Sequence, residues 1–213
     1  AVGATCPLML PDSSVLTSQA AANPKIGETI ITLIRNDCKP VEAMEQAIRH
    51  DPYPEYRQIA LLTSTGETSV HSGSRTRPFS GYSEGQDCIA VGNFLKSEQV
   101  LEAMTDEFNG LHRETSLIDR LIAALNAGKH AGGQEGSNGK RLAERSACLI
   151  VHTSDEQFPV NTRVDFSGDA IPELKKAVDA YRTMHKFYLK RATNPADLPP
   201  QDQWPGNLGS SSN

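Results

Sequence analysis

A glycine-rich segment at residues 132–141 is the stretch whose residue types come closest to those of a ligand-binding loop. It reads Gly-Gly-Gln-Glu-Gly-Ser-Asn-Gly-Lys-Arg and precedes an apolar run. Clustered glycines usually serve positive φ angles or the close approach of a main chain. Gly132 and Gly133 are therefore candidate substrate contacts, and Glu135 could bind an ammonium group or act as a general base if it were buried. The alternative is an exposed connection in which Glu135 is solvated.

The spacing within this segment excludes a phosphate-binding loop of the G-x-x-x-x-G-K-[ST] type. That pattern needs a glycine where the chain has Gln134, and a serine or threonine where it has Arg141. The segment therefore does not predict a nucleotide site.

Three polar residues lie where a predicted strand meets the first predicted helix: Ser18, Gln19 and Asn23. Ser18 could act as a nucleophile, and Ser18 or Gln19 could contact a substrate. The alternative for Ser18 is a hydrogen bond to nearby main chain. Asn23 could donate to an oxyanion beside the N-terminus of the helix, where main-chain N–H groups favour negative charge. Its alternative role is that of a helix N-cap.

Asn93, Arg57 and Ser146 complete the set of candidate site residues. Asn93 follows Gly92 at the end of a short apolar strand and could donate to an oxyanion, or could occupy a left-handed turn. Arg57 and Gln58 alternate on a strand, so they face opposite sides. A buried Arg57 needs a carboxylate or an anionic ligand, whereas an exposed Arg57 needs no partner. Ser146 leads into a buried strand and is expected at the sheet edge near the glycine loop.

Composition limits the possible functions. The 213 residues carry a net charge of −5, which argues against a general nucleic-acid binder. No apolar run approaches the roughly 20 residues that span a bilayer, so no membrane association is predicted. The four cysteines are far apart, which favours free thiols and a cytoplasmic protein. No histidine or cysteine spacing typical of a metal site occurs, and we predict neither a metal nor a cofactor.

Hydrophobic periodicity predicts strands and helices in alternating groups. Helices are predicted to start near Pro24, Pro40, Ser97, Thr115 or Ser116, and Pro172, with Gly128 ending the fourth helix. Strands are predicted over 14–19, 56–63, 67–72, 88–91, 148–152 and 161–165. Tight turns between strands favour antiparallel pairing. The expected fold class is α+β, with two antiparallel sheets between helix layers.

We expect one domain over residues 1–192, followed at 193–213 by a tail rich in proline, glycine and serine. Such a composition is typical of an extended arm or a disordered tail.

Several segments, in order along nearly the whole chain, resemble a bacterial and archaeal family called domain of unknown function 1028. The matching segments are 1–4, 18–19, 23–24 with Gly27, 56–58, 92–93, 131–136 and 146–147, together with the predicted C-terminal helix and the Asn-Pro and Pro-Gly pairs that follow it. The resemblance implies an Ntn-hydrolase-like, four-layer αββα sandwich. Members of that superfamily cut amide bonds with an N-terminal Thr, Ser or Cys, whose own α-amino group, of pKa about 8, accepts the proton.

The chain departs from this family pattern at its start. Ala1 has no nucleophilic side chain, and the strand hairpin that the resemblance places before the equivalent of Ala1 is missing. It could have been cleaved, omitted, or lost in a member without activity. We expect an Ntn-type hydrolase of an amide or lactam bond in a small polar substrate, with its nucleophile upstream of Ala1. Ser18, Asn23, Asn93 and the loop 132–136 would line its site. The alternative is a non-catalytic binding or assembly protein. A homo-oligomer is expected in either case.

Overall fold

The chain folds into a mixed α/β structure in which the described strands pair antiparallel. The structure is a computed structural model, and it describes residues 2–112, 114–152 and 160–204. The prediction of a mixed fold with antiparallel sheets and helices is confirmed. Ala1 and residues 205–213 of the predicted tail lie outside the described residues.

The largest sheet has four strands in the order β1 (Pro7–Leu10), β2 (Ser14–Ala20), β3 (Arg57–Thr63) and β4 (Thr68–Ser72). In the register of β2 and β3, Ser18 lies opposite Ile59 and Gln19 opposite Gln58. Because side chains alternate along a strand, these two cross-strand pairs face opposite sides of the sheet.

Helices α2 (Pro24–Arg35) and α3 (Pro40–Arg49) cover one face of this sheet. Their apolar stripes pack on alternate residues of β2 and β3, and the large side chains with no exposed surface are Ile30, Ile59 and Leu61. Burying each such side chain contributes about 1.5–3 kcal/mol, which holds the helix pair against the sheet.

The opposite face of β3 contacts a hairpin of β5 (Gly81–Gly85) and β6 (Cys88–Gly92). Helix α4 (Gln99–Gly110) packs against this hairpin, and α5 (Leu117–His130) packs against α4. Arg120 of α5 donates from Nε and Nη2 to the main-chain oxygen of Phe108, at 3.0 and 2.9 Å. Its guanidinium also lies 3.9 Å from the centre of the Phe108 ring. The last turn of α4 is therefore capped by its neighbour.

A second hairpin, β7 (Ala147–Val151) and β8 (Val160–Val164), packs against α5 and the long helix α6 (Ala170–Thr193). A short helix, α1 (Val2–Thr5), lies on β7. Beyond α6, residues 195–197 and 201–203 form 3₁₀ turns, and the Trp204 ring lies 5.3 Å from that of Phe187. The predicted domain boundary at residue 192 stays a prediction.

Several elements differ from the sequence predictions: the short helix α1 was not predicted, and α6 begins at Ala170, two residues before the predicted Pro172. Strands β1 and β5 were not predicted, since β1 begins at a proline and β5 reads Gly-Tyr-Ser-Glu-Gly, with few β-branched or aromatic residues. Gly128 does not end α5, which runs to His130. A Cβ at Gly128 would lie 2.7 Å from Met104 Cγ, so this glycine permits close helix packing instead. No helix among the described residues has the length and hydropathy of a membrane span.

Candidate functional site

Three carboxamides meet between the four-stranded sheet and the β5–β6 hairpin. Gln58 on β3 has no exposed surface, and its Oε1 accepts from Gln19 Nε2 at 2.8 Å and from Asn93 Nδ2 at 3.0 Å. Its Nε2 lies 2.9 Å from the main-chain oxygen of Gly92, 3.3 Å from that of Gly81 and 3.0 Å from Ser72 Oγ. Gln58 therefore joins the two sheets through one buried side chain.

The glycine loop closes on the same place. Gln134 Nε2 donates to the main-chain oxygen of Asn93 at 3.1 Å, and the Glu135 N–H donates to that of Phe94 at 2.6 Å. The Lys96 N–H donates to the main-chain oxygen of Gly133 at 3.0 Å. Three predicted parts of the site, namely Gln19, Asn93 and the loop 132–136, are thus brought together. We call Gln19, Gln58, Asn93 and Gln134 the carboxamide cluster.

Phe94, next to Asn93, has a φ of +60°. This left-handed conformation is costly for a residue with a Cβ, by roughly 1–2 kcal/mol, and it is held by hydrogen bonds on both sides. The Phe94 N–H donates to the main-chain oxygen of Arg77, while its own oxygen accepts from Glu135. The turn that carries Asn93 is therefore fixed by its surroundings.

Gly132 and Gly133 have a local structural role at the end of α5. The Gly133 N–H donates to the main-chain oxygen of Gly128 at 3.0 Å, and the Gly132 N–H to that of Lys129 at 3.3 Å. These bonds form a Schellman motif with Gly132, at φ +129°, as the residue after the C-cap. A Cβ on Gly132 would lie 2.5 Å from Lys96 Cδ. The two glycines end the helix and allow the loop to approach Lys96.

Glu135 and Ser146 occupy different surroundings. Glu135 is half-buried, and its carboxylate has no ion-pair partner within the described parts of the chain. Ser146 Oγ accepts from the Val2 N–H at 3.2 Å, so it anchors the beginning of α1 before β7. No contact between Ser146 and the carboxamide cluster is observed among the described residues.

Ser18 lies on the other face of its sheet. It shares the face of Leu16 and is fully buried beneath α2 and α3, opposite Ile59, and its Oγ has no hydrogen-bond partner. The pleat directs Gln19 to the cluster and Ser18 away from it. The structure therefore does not bring the two predicted catalytic residues, Ser18 and Asn93, to one site.

Asn23 and Arg57 are also held apart from the cluster by structural contacts. Asn23 is the N-cap of α2, and its Oδ1 accepts from the Lys25 N–H at 3.2 Å. Arg57 pairs with Asp51 through Nε at 2.8 Å and Nη2 at 3.2 Å, and also donates to the main-chain oxygen of Ala21. Of the two interpretations of Arg57, the structure shows the partly buried side chain with a carboxylate partner.

Two of the four cysteine thiols have a raised pKa. Burial raises the pKa of the Cys88 thiol and that of the Cys148 thiol, which makes both weak nucleophiles at neutral pH. Among the described residues, no group of three or more His, Cys, Asp or Glu side chains is arranged to hold a metal ion.

Comparison with known proteins identifies the family of this chain. A family model described as "Family of unknown function (DUF1028)" matches residues 1–174. The chain belongs to the DUF1028 family. A crystal structure of protein SPO2555 from Silicibacter pomeroyi, also of DUF1028, is similar to it, with 28% identity and a TM-score of 0.74 over 85% of this chain and 75% of that one. No curated protein matches the chain.

In this DUF1028 protein, Gln58 was not among the predicted site residues, and Gln134 was predicted only as part of the loop 132–136, without a contact of its own. Gln58 had a detectable signal, because it is an amide in the apolar strand Arg-Gln-Ile-Ala-Leu-Leu-Thr and faces the side opposite to Arg57. Gln134 had none, because its contact with Asn93 depends on how the loop folds back onto β6.

Proposed function

We propose that this DUF1028 protein is an Ntn-type hydrolase of an amide or lactam bond in a small polar substrate. In this proposal the sheets and helices form the four-layer αββα arrangement of that superfamily. The attacking Thr, Ser or Cys is the first residue of a mature chain whose N-terminus precedes Ala1. The observation that carries the proposal is the convergence of Gln19, Asn93 and Gln134 at the junction of two sheets and a glycine loop.

The proposed reaction requires no side chain to act as a separate general base. The α-amino group of the first residue has a pKa of about 8 and is therefore partly neutral near pH 7. It can accept the proton from the nucleophilic side chain of the same residue. In agreement, no serine or cysteine in the described parts of the chain is hydrogen-bonded to a histidine. The carboxamide cluster would then bind and orient the substrate rather than attack it.

The test is made on protein expressed from the full gene. Intact mass and N-terminal sequencing show whether a Thr, Ser or Cys ends the mature chain. A serine/threonine-directed electrophile should then add one equivalent, located by peptide mapping at the first residue. A processed protein that forms no adduct and hydrolyses no amide or lactam would contradict the proposal.

A non-catalytic binding or assembly protein on the same scaffold is the second candidate function. It is favoured by the engagement of the predicted catalytic groups in internal contacts. Asn93 Nδ2 is bonded to Gln58, Asn23 caps a helix, and Ser18 is sealed beneath α2 and α3. Light scattering would measure the proposed homo-oligomer, and an assembled protein without any adduct would favour this second function.

A further inference from the structure

The layer of strands beside helices α4 and α5 is interrupted. Helix α4 packs against the β5–β6 hairpin, α5 packs against β7, and the two helices pack against each other, so the helix layer is continuous. The two hairpins, however, are separate two-stranded sheets, and no ladder joins β6 to β7 in the described parts of the chain. One edge of β6 and one edge of β7 are therefore left without a strand partner.

An open apolar cavity lies at these two free edges. One wall is formed by Cys88, Ile89 and Ala90 of β6, and the other by Cys148 and Leu149 of β7. Because neighbouring residues on a strand face opposite sides, a cavity that touches consecutive residues of both strands lies at their edges rather than over one face. Its floor is formed by α4 and α5, chiefly by the apolar side chains Met104, Phe108, Leu121, Ala124 and Leu125. We call this cavity the inter-hairpin groove.

The β6 edge of the groove carries main-chain groups without a strand partner. The turn between β5 and β6 has two residues, so the flanking pair of Gly85 and Cys88 is hydrogen-bonded. Bonding to β5 then alternates along the strand, and the N–H and C=O groups of Ile89 and Val91 point away from β5. In agreement, the Val91 oxygen accepts from Gln19 Nε2 at 3.2 Å. Neither N–H donates to any described residue.

A groove with these properties is complementary to an extended chain. Its edges can pair with the N–H and C=O groups of a strand, while its floor can bury apolar side chains. A small apolar molecule would cover the floor but would leave the main-chain groups of the half-buried Ile89 and Val91 unpaired, which costs free energy. The groove therefore favours a β-strand as its occupant.

The beginning of the described chain lies beside the β7 wall of the groove. The Val2 N–H donates to Ser146 Oγ at 3.2 Å, directly before β7. A Cβ on Gly3 would lie 2.8 Å from the Cβ of Cys148, which lines the groove. A segment that leads into Val2 can therefore enter the groove without a long connection, which favours a segment of the same chain over a second copy.

We propose that the segment preceding Ala1 enters the inter-hairpin groove as β-strand and pairs with the free edges of β6 and β7. The two hairpins then belong to one sheet, which contacts the four-stranded sheet through β3 and β6. The inference rests on the proposed function in one respect, namely that the mature chain begins before Ala1. It adds the place of that segment and the strand edges that bind it.

The inference is tested by NMR on ¹³C,¹⁵N-labelled protein expressed from the full gene. We expect NOEs between the amide protons of Ile89 and Val91 and the α-protons of residues that precede Ala1. These two amides should also exchange with deuterium about a hundredfold or more slowly than that of Tyr82, which points away from the groove on the outer edge of β5. Absence of the NOEs from the assigned spectrum would overturn the inference. Protection without the NOEs would reveal a different occupant, such as a second copy, and would overturn it as well.

Proline substitutions separate strand pairing from side-chain burial. Ile89→Pro removes an N–H that faces the groove, whereas Ile89→Ala shortens the side chain and keeps that N–H. In the full-gene protein, Ile89→Pro should unfold several degrees below Ile89→Ala, and the difference between Tyr82→Pro and Tyr82→Ala should be smaller. Equal differences at the two positions would refute the pairing. The NOE measurement needs no substitution and decides the question if a proline variant does not fold.

Failure of this inference can be distinguished from failure of the proposed function. A protein that shows the NOEs but forms no electrophile adduct would refute the hydrolase and leave the placement of the strand standing. An adduct at the first residue without the NOEs would do the reverse.

Discussion

Replacing Gln58 with glutamate tests the cluster through the dependence of stability on pH. The substitution preserves shape but removes the two N–H donors that face Ser72 and the main-chain oxygens of Gly81 and Gly92. An ionised carboxylate there would be fully buried and directed at carbonyl oxygens, so burial raises the pKa of the new carboxyl. A protonated carboxyl, by contrast, can still donate one hydrogen bond.

The sign of the effect follows from linkage. The unfolded carboxyl has a pKa of about 4.3, and the folded one is higher. Below pH 4 both states are protonated, and Gln58→Glu should cost only about 1 kcal/mol for one lost hydrogen bond. Above that pH the variant should lose about 1.4 kcal/mol relative to the parent for each pH unit, until the folded pKa is reached. From pH 4.3 to 7.3 this amounts to about 4 kcal/mol if the folded pKa lies above that range.

Urea unfolding of the parent and the variant at a series of pH values measures this difference. Gln58→Met provides a matched control, since it leaves Asn93 Nδ2 and the Gly92 oxygen without partners at a cost of about 2–6 kcal/mol that does not vary with pH. Gln99→Glu places the same new charge on the exposed start of α4. A Gln58→Glu penalty that stays constant from pH 4 to 8 would refute the interpretation of Gln58 as a buried, donor-requiring joint.

Three further predictions concern contacts outside the cluster. Asp51→Asn should lower the free energy of unfolding in urea by about 3–5 kcal/mol, because the partly buried Arg57 charge loses its partner. An Arg57→Met/Asp51→Asn double variant should recover part of that loss. A double variant no more stable than Asp51→Asn would contradict this. The Arg182 hydrogen bond lowers the pKa of the Asp119 carboxyl, so Arg182→Gln should raise that pKa toward its ordinary value in a carboxyl ¹³C titration. The stability that this pair contributes should be present above about pH 4 and disappear as the pH falls through the folded pKa, and an unchanged titration would argue against the pair. Asp37→Gly should raise the free energy of unfolding by about 1 kcal/mol, because Asp37 holds the left-handed position after α2 at φ +62°. A lower free energy of unfolding in urea would show that the Asp37 side chain stabilises this turn.

Helix starts and strands that are determined by residues adjacent in the sequence could be predicted from local sequence rules. The Asn23-Pro24 pair predicted the start of α2, and Ser116 was one of two predicted caps of α5, where its Oγ accepts from the Asp119 N–H. The strand pair β7–β8 was predicted within one residue at each end, because alternating burial marks both strands. Such features need no knowledge of the rest of the fold.

The site could be predicted only in part because it depends on which face of a sheet is covered. Ser18 and Gln19 are both polar, so their types do not say which one faces the helices, and it is the burial of Leu16 that decides. The partner of Arg57, at Asp51, follows from the turn between α3 and β3 rather than from any spacing rule. Long-range contacts of the loop, such as that of Gln134 with Asn93, leave no local pattern.

The hydrogen bonds of Arg120 to the final turn of α4 have a consequence for the local unfolding of the two helices. The last turn of α4 cannot unfold locally without breaking the hydrogen bonds from the Arg120 guanidinium of α5 to the main-chain oxygen of Phe108. Local opening of this turn is therefore expected to be coupled to that of α5. Amide protons near Phe108 should therefore exchange with deuterium at the pace of α5, and Arg120→Met should let them exchange sooner while the centre of α5 keeps its protection. We therefore expect the Arg120 side chain to couple the last turn of α4 to the opening of α5, in addition to the packing between the two helices.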